Sequence, residues 1–230
     1  MKLLRHLPNA LTCGNLVCGS IGIISVTRGH AMASDAIAFV VAACIFDFLD
    51  GFVARKLHVS SPIGKELDSL ADMVSFGVFP AIVTYVVLSS SNDTPHAYAF
   101  APLFLIVFSA IRLAQFNIDE RQKDSFIGLP TPAGALFMTG LWLLPEPFAS
   151  WVSHPFVLVC LTLFVSFLLV APMKLFALKF KNFSWADNKI RITFVLLAVL
   201  LLVGWQAGAI PLIILLYIAI SLGSRVLRVP

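Results

Sequence analysis

The chain is 230 residues long, 59% hydrophobic and only 12% charged, with a mean hydropathy of +0.94 and a formal net charge of +4. A soluble domain of this length cannot bury so much apolar side chain, so the composition excludes that class and leaves a polytopic membrane protein. The positive balance needs no nucleic-acid partner, because a basic face beside a bilayer attracts anionic lipid headgroups.

Charged residues gather in short islands between apolar runs of the length a bilayer requires, about 20 residues each. These runs predict eight spans, at 9–27, 35–55, 67–89, 97–117, 131–150, 155–172, 190–206 and 209–225, with proline in or beside the fifth and the eighth. The fold class is therefore all-α, a polytopic helix bundle, with neither an internal repeat nor a low-complexity tract. The first run is interrupted by TCGN and followed by no small-residue cleavage site, so it reads as a span and not a signal peptide. Cys13, Cys18, Cys44 and Cys160 lie inside predicted spans without CxxC spacing, as packing residues do. The five histidines are scattered and show no metal-ligand pairing.

Lysine and arginine set the orientation. With an inside N-terminus, Lys2, Arg5, Arg55, Lys56, Lys65, Arg112, Arg121, Lys123, Lys174, Lys179, Lys181, Lys189, Arg191, Arg225 and Arg228 fall on the cytoplasmic side, and Arg28 alone falls outside. Both termini and the connection between the second and third spans are thus expected to face the cytoplasm, in the inner or plasma membrane.

That connection is unusual. Four of the chain's nine aspartates, Asp47, Asp50, Asp68 and Asp72, sit in DFLDGFVARKLHVSSPIGKELDSLAD, residues 47–72. At 100° per residue, Asp47, Asp50, Gly51 and Ala54 share one stripe at the end of the second span, and Asp68 and Asp72 share a stripe on the third. Pro62 and Gly64 suit a tight turn between antiparallel helices, which lets the two stripes face each other. Four carboxylates at close range need compensation by protons or cations. Oxygen-only ligands favour hard ions such as magnesium or manganese, and two such ions about 3.5–4 Å apart form a common clamp for displacement at phosphorus. Gly51 and Ala54 leave room for a bulky ligand, and Arg55 offers a cation for a phosphate oxygen. Singly, each aspartate would pass for a helix cap or a loop partner of Arg55, Lys56 or Lys65. Four at these spacings beside small residues do not.

The window matches D-x2-D-G-x2-A-R-x8-G-x3-D-x3-D at Asp47, Asp50, Gly51, Ala54, Arg55, Gly64, Asp68 and Asp72. In this it resembles the CDP-alcohol phosphotransferase family, and LPNALTCGN resembles that family's P-N-x2-T segment. The resemblance covers roughly residues 7–172. It implies a six-span core, residues 1–172, with the last two spans, 173–230, as an addition. It further implies two divalent cations, Mg2+ or Mn2+, on Asp47, Asp50, Asp68 and Asp72, with Asp72 also the general base. A CDP-lipid would be contacted by Asn9, Thr12, Gly51, Ala54, Arg55, Ser61 and Gly64. Homodimerisation is implied as well.

The acceptor alcohol is expected where the fourth and fifth spans meet the cytoplasm, in RLAQFNIDERQKDSFIGLPTPAGA. R-L-A-x-F-N followed by F-x-G-L-P-x-P resembles the phosphatidylserine synthase branch. That branch uses CDP-diacylglycerol and L-serine, with Arg112 able to meet the serine carboxylate and Asn117 beside it. Alternatively Arg112 is a positive-inside anchor and the proline run starts a helix. Sister reactions with glycerol 3-phosphate or inositol phosphate remain open, since Arg112, Arg121 and Lys123 would suit a phosphate. A divalent-cation or proton-coupled transporter is the alternative from another class, because intramembrane carboxylates mark ion pathways. Against it, the carboxylates cluster at one edge and no second half resembles the first.

Overall fold

A computed structural model describes residues 6–59, 61–90, 95–119, 125–176 and 185–226. Lys2, Arg5, Arg121, Lys123, Lys179, Lys181 and Arg228, used above for topology or charge, lie outside the described residues. The fold is that of a polytopic helical membrane protein. Among the described residues, five stretches are long and apolar enough to cross a bilayer: Leu7–Thr27, Ala33–Leu57, Pro62–Ser90, His96–Ile118 and Asn188–Gly223.

Helix α1 (Leu7–Thr27) carries Pro8 in its first turn, where a missing N–H costs nothing. It packs most extensively on α2 (Ala36–Leu57), which ends at His58 in the left-handed conformation. The next helix, α3 (Pro62–Asp72), begins earlier than the predicted third span and places Pro62 at its first position. The Ser61 hydroxyl caps it by accepting from the Gly64 main-chain N–H at 3.0 Å. Gly64, expected in the turn, is therefore helical. Its missing side chain leaves room instead, since a Cβ there would lie 3.0 Å from Asn9 Oδ1.

Immediately after Asp72 the chain widens into a π-helical turn, Met73–Val78, before continuing as α4 (Phe79–Ser90). Small residues let the backbones close on this turn, as small-residue interfaces do between membrane helices. A Cβ on Gly19 would fall 2.7 Å from Ser75 Cα, and one on Gly77 would fall 3.0 Å from Ser109 Cβ of α5 (Leu103–Ile118). Val26, Ala36, Val40, Phe76, Phe79 and Val83 form the core of this end of the bundle.

The predicted fifth span, 131–150, is not a continuous helix. Helix α6 (Thr131–Gly140) gives way to a 3-10 turn at Leu141–Leu143, and a short α7 (Phe148–Val152) follows. Leu144 is extended, at φ −65° and ψ 140°, because the residue before a proline is driven out of the helical region. Pro145 and Pro147 then deny the helix its donors. Helix α8 (Pro155–Val170) has 16 residues, and its partly exposed apolar side chains include Phe156, Leu163 and Phe167.

The last two predicted spans are α9 (Trp185–Trp205) and α10 (Ile210–Val226), joined by a 3-10 turn at Gln206–Ala209. Phe194 and Tyr217, well away from the turn on either side, have ring centroids 5.7 Å apart, so the two helices fold back as a hairpin. One feature departs from a purely helical chain. Strands β1 (Ser125–Ile127) and β2 (Lys174–Phe176) pair antiparallel, with Phe126 opposite Leu175. Gly128 follows at φ +83°, where a Cβ would fall 3.0 Å from the Leu169 carbonyl carbon. Its N–H donates to Met173 O at 2.7 Å, and Leu129 N–H donates to Leu168 O at 2.8 Å. The Phe126–Pro130 run therefore clasps the end of α8. The Tyr217 hydroxyl ties the hairpin to this clasp by donating to Phe176 O at 2.7 Å.

Candidate active site

The two aspartate stripes meet. Carboxylate oxygens of Asp47 and Asp50 on α2 and of Asp68 on α3 all lie within 4.8 Å of one another. Asp50 is only 6% exposed, and Asp47 and Asp68 are partly buried and in contact with each other. Asp72 stands one turn further along α3, outside that set but within electrostatic reach of Asp47 and Asp68.

These residues fit a hard divalent cation. The donor set is all oxygen and carries a high negative charge. Asp68 Oδ1 is also buried without a hydrogen-bond donor among the described residues, which is costly for a carboxylate unless something positive faces it.

Beside the aspartates opens a cavity of about 710 Å3, lined by residues of α1, α2, α3 and the α2–α3 connection. Of the residues expected to contact a CDP-lipid, Asn9, Thr12, Gly51, Ala54, Ser61 and Gly64 line it, together with Asp50 and Asp68. Arg55 is absent from the wall. Its guanidinium instead lies over Gly51, whose Cβ would be 3.2 Å from Nη1, and its charge bears on Asp50. The sequence reading had not singled out His6, His58, Val59 and Ile63, nor placed Lys65 here, whereas Pro8 opens the P-N-x2-T segment.

Helix α1 contributes more than a wall. The buried Thr12 hydroxyl donates to Asp50 Oδ2 at 2.6 Å and also lies 3.0 Å from Pro8 O. One turn on, Asn15, which is fully buried, donates its side-chain N–H to Asp72 Oδ1 at 3.0 Å. Sequence reasoning missed Asn15. The available signal was its place three residues after Thr12, on the same stripe of the first helix.

The two acceptor residues lie elsewhere. Arg112 is 3% exposed on α5, and its Nε donates to Leu129 O at 3.3 Å. Its guanidinium carbon sits 5.4 Å from the Phe116 ring centroid, and Nη1 is buried with no hydrogen-bond partner among the described residues. Asn117 uses its side-chain N–H on Ser69 Oγ at 2.8 Å, while its main-chain oxygen accepts from Lys65 Nζ at 2.6 Å. Neither residue lines the cavity. The Asn117–Ser69 tie and the Gly77–Ser109 contact nevertheless fix α5 antiparallel to the third span, which sets Arg112 at the depth of the turn following Asp72.

Residues 5–168 match the family model described as CDP-alcohol phosphatidyltransferase. The chain belongs to the CDP-alcohol phosphatidyltransferase family. It is 33% identical over 171 residues to a CDP-diacylglycerol–serine O-phosphatidyltransferase of Bacillus subtilis (strain 168), covering 74% of this chain and 90% of that one. A protein of the same name from Mycobacterium leprae (strain TN) is 39% identical over 182 residues, covering 74% of this chain and 59% of its own length. Another, from Helicobacter pylori (strain J99), is 39% identical over 143 residues, covering 61% of this chain and 59% of that protein. Family membership makes the chain a transferase of phospholipid synthesis and removes the ground for the transporter alternative. The match ends before β2 and the C-terminal hairpin.

Proposed function

We propose that this protein transfers a phosphatidyl group from CDP-diacylglycerol to L-serine, giving phosphatidylserine and CMP, with two divalent cations, Mg2+ or Mn2+. The carrying observation is the convergence of Asp47, Asp50 and Asp68 oxygens within 4.8 Å at the edge of a 710 Å3 cavity formed by the family motif. The names of the relatives support serine as the acceptor.

Asp47 and Asp68 would serve both ions, Asp50 one and Asp72 the other. When bound, the cations neutralise pyrophosphate oxygens and stabilise the departing CMP. The chain's own part is positioning and proton transfer. Asn9, Ser61, Gly51, Ala54 and Gly64 shape the cavity around the cytidine diphosphate. Thr12 acts there and on Asp50, and Arg55 offers its charge to a phosphate oxygen. Asp72 takes the proton from the serine hydroxyl as that oxygen bonds to the lipid-linked phosphorus, and the bond from phosphorus to CMP breaks. Arg112 would receive the serine carboxylate, since a buried guanidinium with an unpartnered Nη1 can satisfy an anion. Asn117 would hold α5 against α3 beside it.

We assign the wider layout in the same way. The chain would cross the membrane eight times, with the segment from α6 to α7 as the fifth passage and the α9–α10 hairpin as the last two. Residues 1–172 form the catalytic core and 173–230 the addition. Both termini and the site face the cytoplasm from the inner or plasma membrane, and two copies form the working unit. The test is CMP release by purified protein across L-serine, glycerol 3-phosphate and inositol phosphate, with and without a chelator. Serine-dependent, metal-dependent release is expected, and release driven by another acceptor alone would overturn the serine assignment.

A further inference from the structure

We propose that Asn15 is a positioning residue for Asp72, a role that rests on the reading of Asp72 as the base. Asp72 occupies the last position of α3, where regular helical winding gives way to the π-turn. Asp72 itself keeps α-helical angles, φ −59° and ψ −40°, so α3 sets its Cα–Cβ vector and leaves the direction of the carboxylate to its partners. Asn15 supplies that direction from another helix, through the 3.0 Å bond from its Nδ2 to Asp72 Oδ1. One carboxylate oxygen is thereby held and the other is left to meet the incoming hydroxyl.

Asn15 is itself held in place. Its main-chain oxygen accepts from the Ser75 hydroxyl at 2.9 Å, and both residues are fully buried. Gly19 permits this approach, because any Cβ there would collide with Ser75. The frame thus joins α1, Asp72 and the π-turn in one unit. π-turns recur at functional sites. Neither Asn15 nor Asp72 is part of the cavity wall, and Asn15 acts on the aspartate cluster through its bond to Asp72. Thr12 does the same for Asp50 one turn earlier, which makes Thr-x-x-Asn a pair of donors to two different carboxylates.

The experiment compares wild type, Asn15→Leu, Ser75→Ala and Asp72→Asn in CMP release with L-serine at saturating Mn2+. Leucine keeps the branched outline of asparagine, with methyl groups in place of the amide, and removes the donor. Ser75→Ala loosens the same helix contact without touching Asp72. Expected for Asn15→Leu is a fall in kcat of about tenfold to a hundredfold, the range for residues that orient a ligand group. The KM values for CDP-diacylglycerol and serine should stay within about twofold, and Ser75→Ala, which loosens the frame but keeps the Asn15 donor, should lose less kcat than Asn15→Leu. An unchanged kcat in Asn15→Leu, or an equal loss in Ser75→Ala, overturns the proposal. Should Asn15→Leu not fold, Asn15→Asp replaces it under the same criterion. Failure of both to fold assigns Asn15 to the scaffold and overturns the proposal as well. Full activity in Asp72→Asn would instead remove the base assignment itself, so the two failures are separable.

Discussion

Thr12 separates two accounts of the first helix. The family resemblance assigns it to the CDP-lipid, whereas the structure turns its hydroxyl onto Asp50 at 2.6 Å, with both side chains at least nine-tenths buried. Thr12→Val keeps the shape and removes the donor. A hydrogen bond to a charged group contributes about 1.5–3 kcal/mol, and about 1.4 kcal/mol corresponds to tenfold in an equilibrium. Part of that energy is also present in the metal-free protein, so only the share that orients Asp50 bears on the ion. The Mn2+ concentration for half-maximal activity should therefore rise by about tenfold to a hundredfold, in line with other donors behind metal ligands. Thr12→Ser should largely restore it. The assay is CMP release titrated with Mn2+ at saturating CDP-diacylglycerol. An unchanged Mn2+ requirement together with a raised KM for CDP-diacylglycerol would refute the reasoning and return Thr12 to the nucleotide.

Asp72→Asn should lower kcat by about 10²–10⁴-fold, the usual contribution of a general base, while CDP-diacylglycerol binding stays largely intact. Gly51→Leu places a Cβ 3.2 Å from Arg55 Nη1 and fills the cavity beside Asp50. Overpacking of about 1–3 kcal/mol should weaken CDP-diacylglycerol about fivefold to a hundredfold, measurable as its dissociation constant. Arg112→Lys keeps the charge but loses the planar fork, so the KM for serine should rise by about tenfold while that for CDP-diacylglycerol holds.

The aspartate stripes were legible because helical periodicity alone puts Asp47 with Asp50 and Asp68 with Asp72, and the two helices are close neighbours in the chain. The second helix, expected at 35–55, runs from Ala36 to Leu57. What periodicity could not supply was any interaction that depends on how distant helices meet. Asn15 reaches Asp72 across 57 positions, and Asn117 reaches Ser69 across 48, so neither partner could be read from local spacing. The π-turn at Met73–Val78 has no periodicity signal of its own, although Ser75 and Gly77 within it and Pro80 just after it all weaken a regular helix. The break in the predicted fifth span was visible in principle, since Pro145 and Pro147 forbid a continuous helix, but its apolar composition outweighed them. The β1–β2 ribbon, three residues a side, is too short to show strand alternation. Gly128-Leu129-Pro130, read as part of the acceptor segment, turns its N–H groups to Met173 and Leu168 while Leu129 O accepts from Arg112, contacts that local spacing could not show.

Anomalous diffraction from a crystal soaked in Mn2+ addresses the central claim most directly. Two peaks among the carboxylates of Asp47, Asp50, Asp68 and Asp72, lost in Asp68→Asn, are the predicted result. A map with no manganese between α2 and α3, from protein that still releases CMP when serine is added, would contradict it.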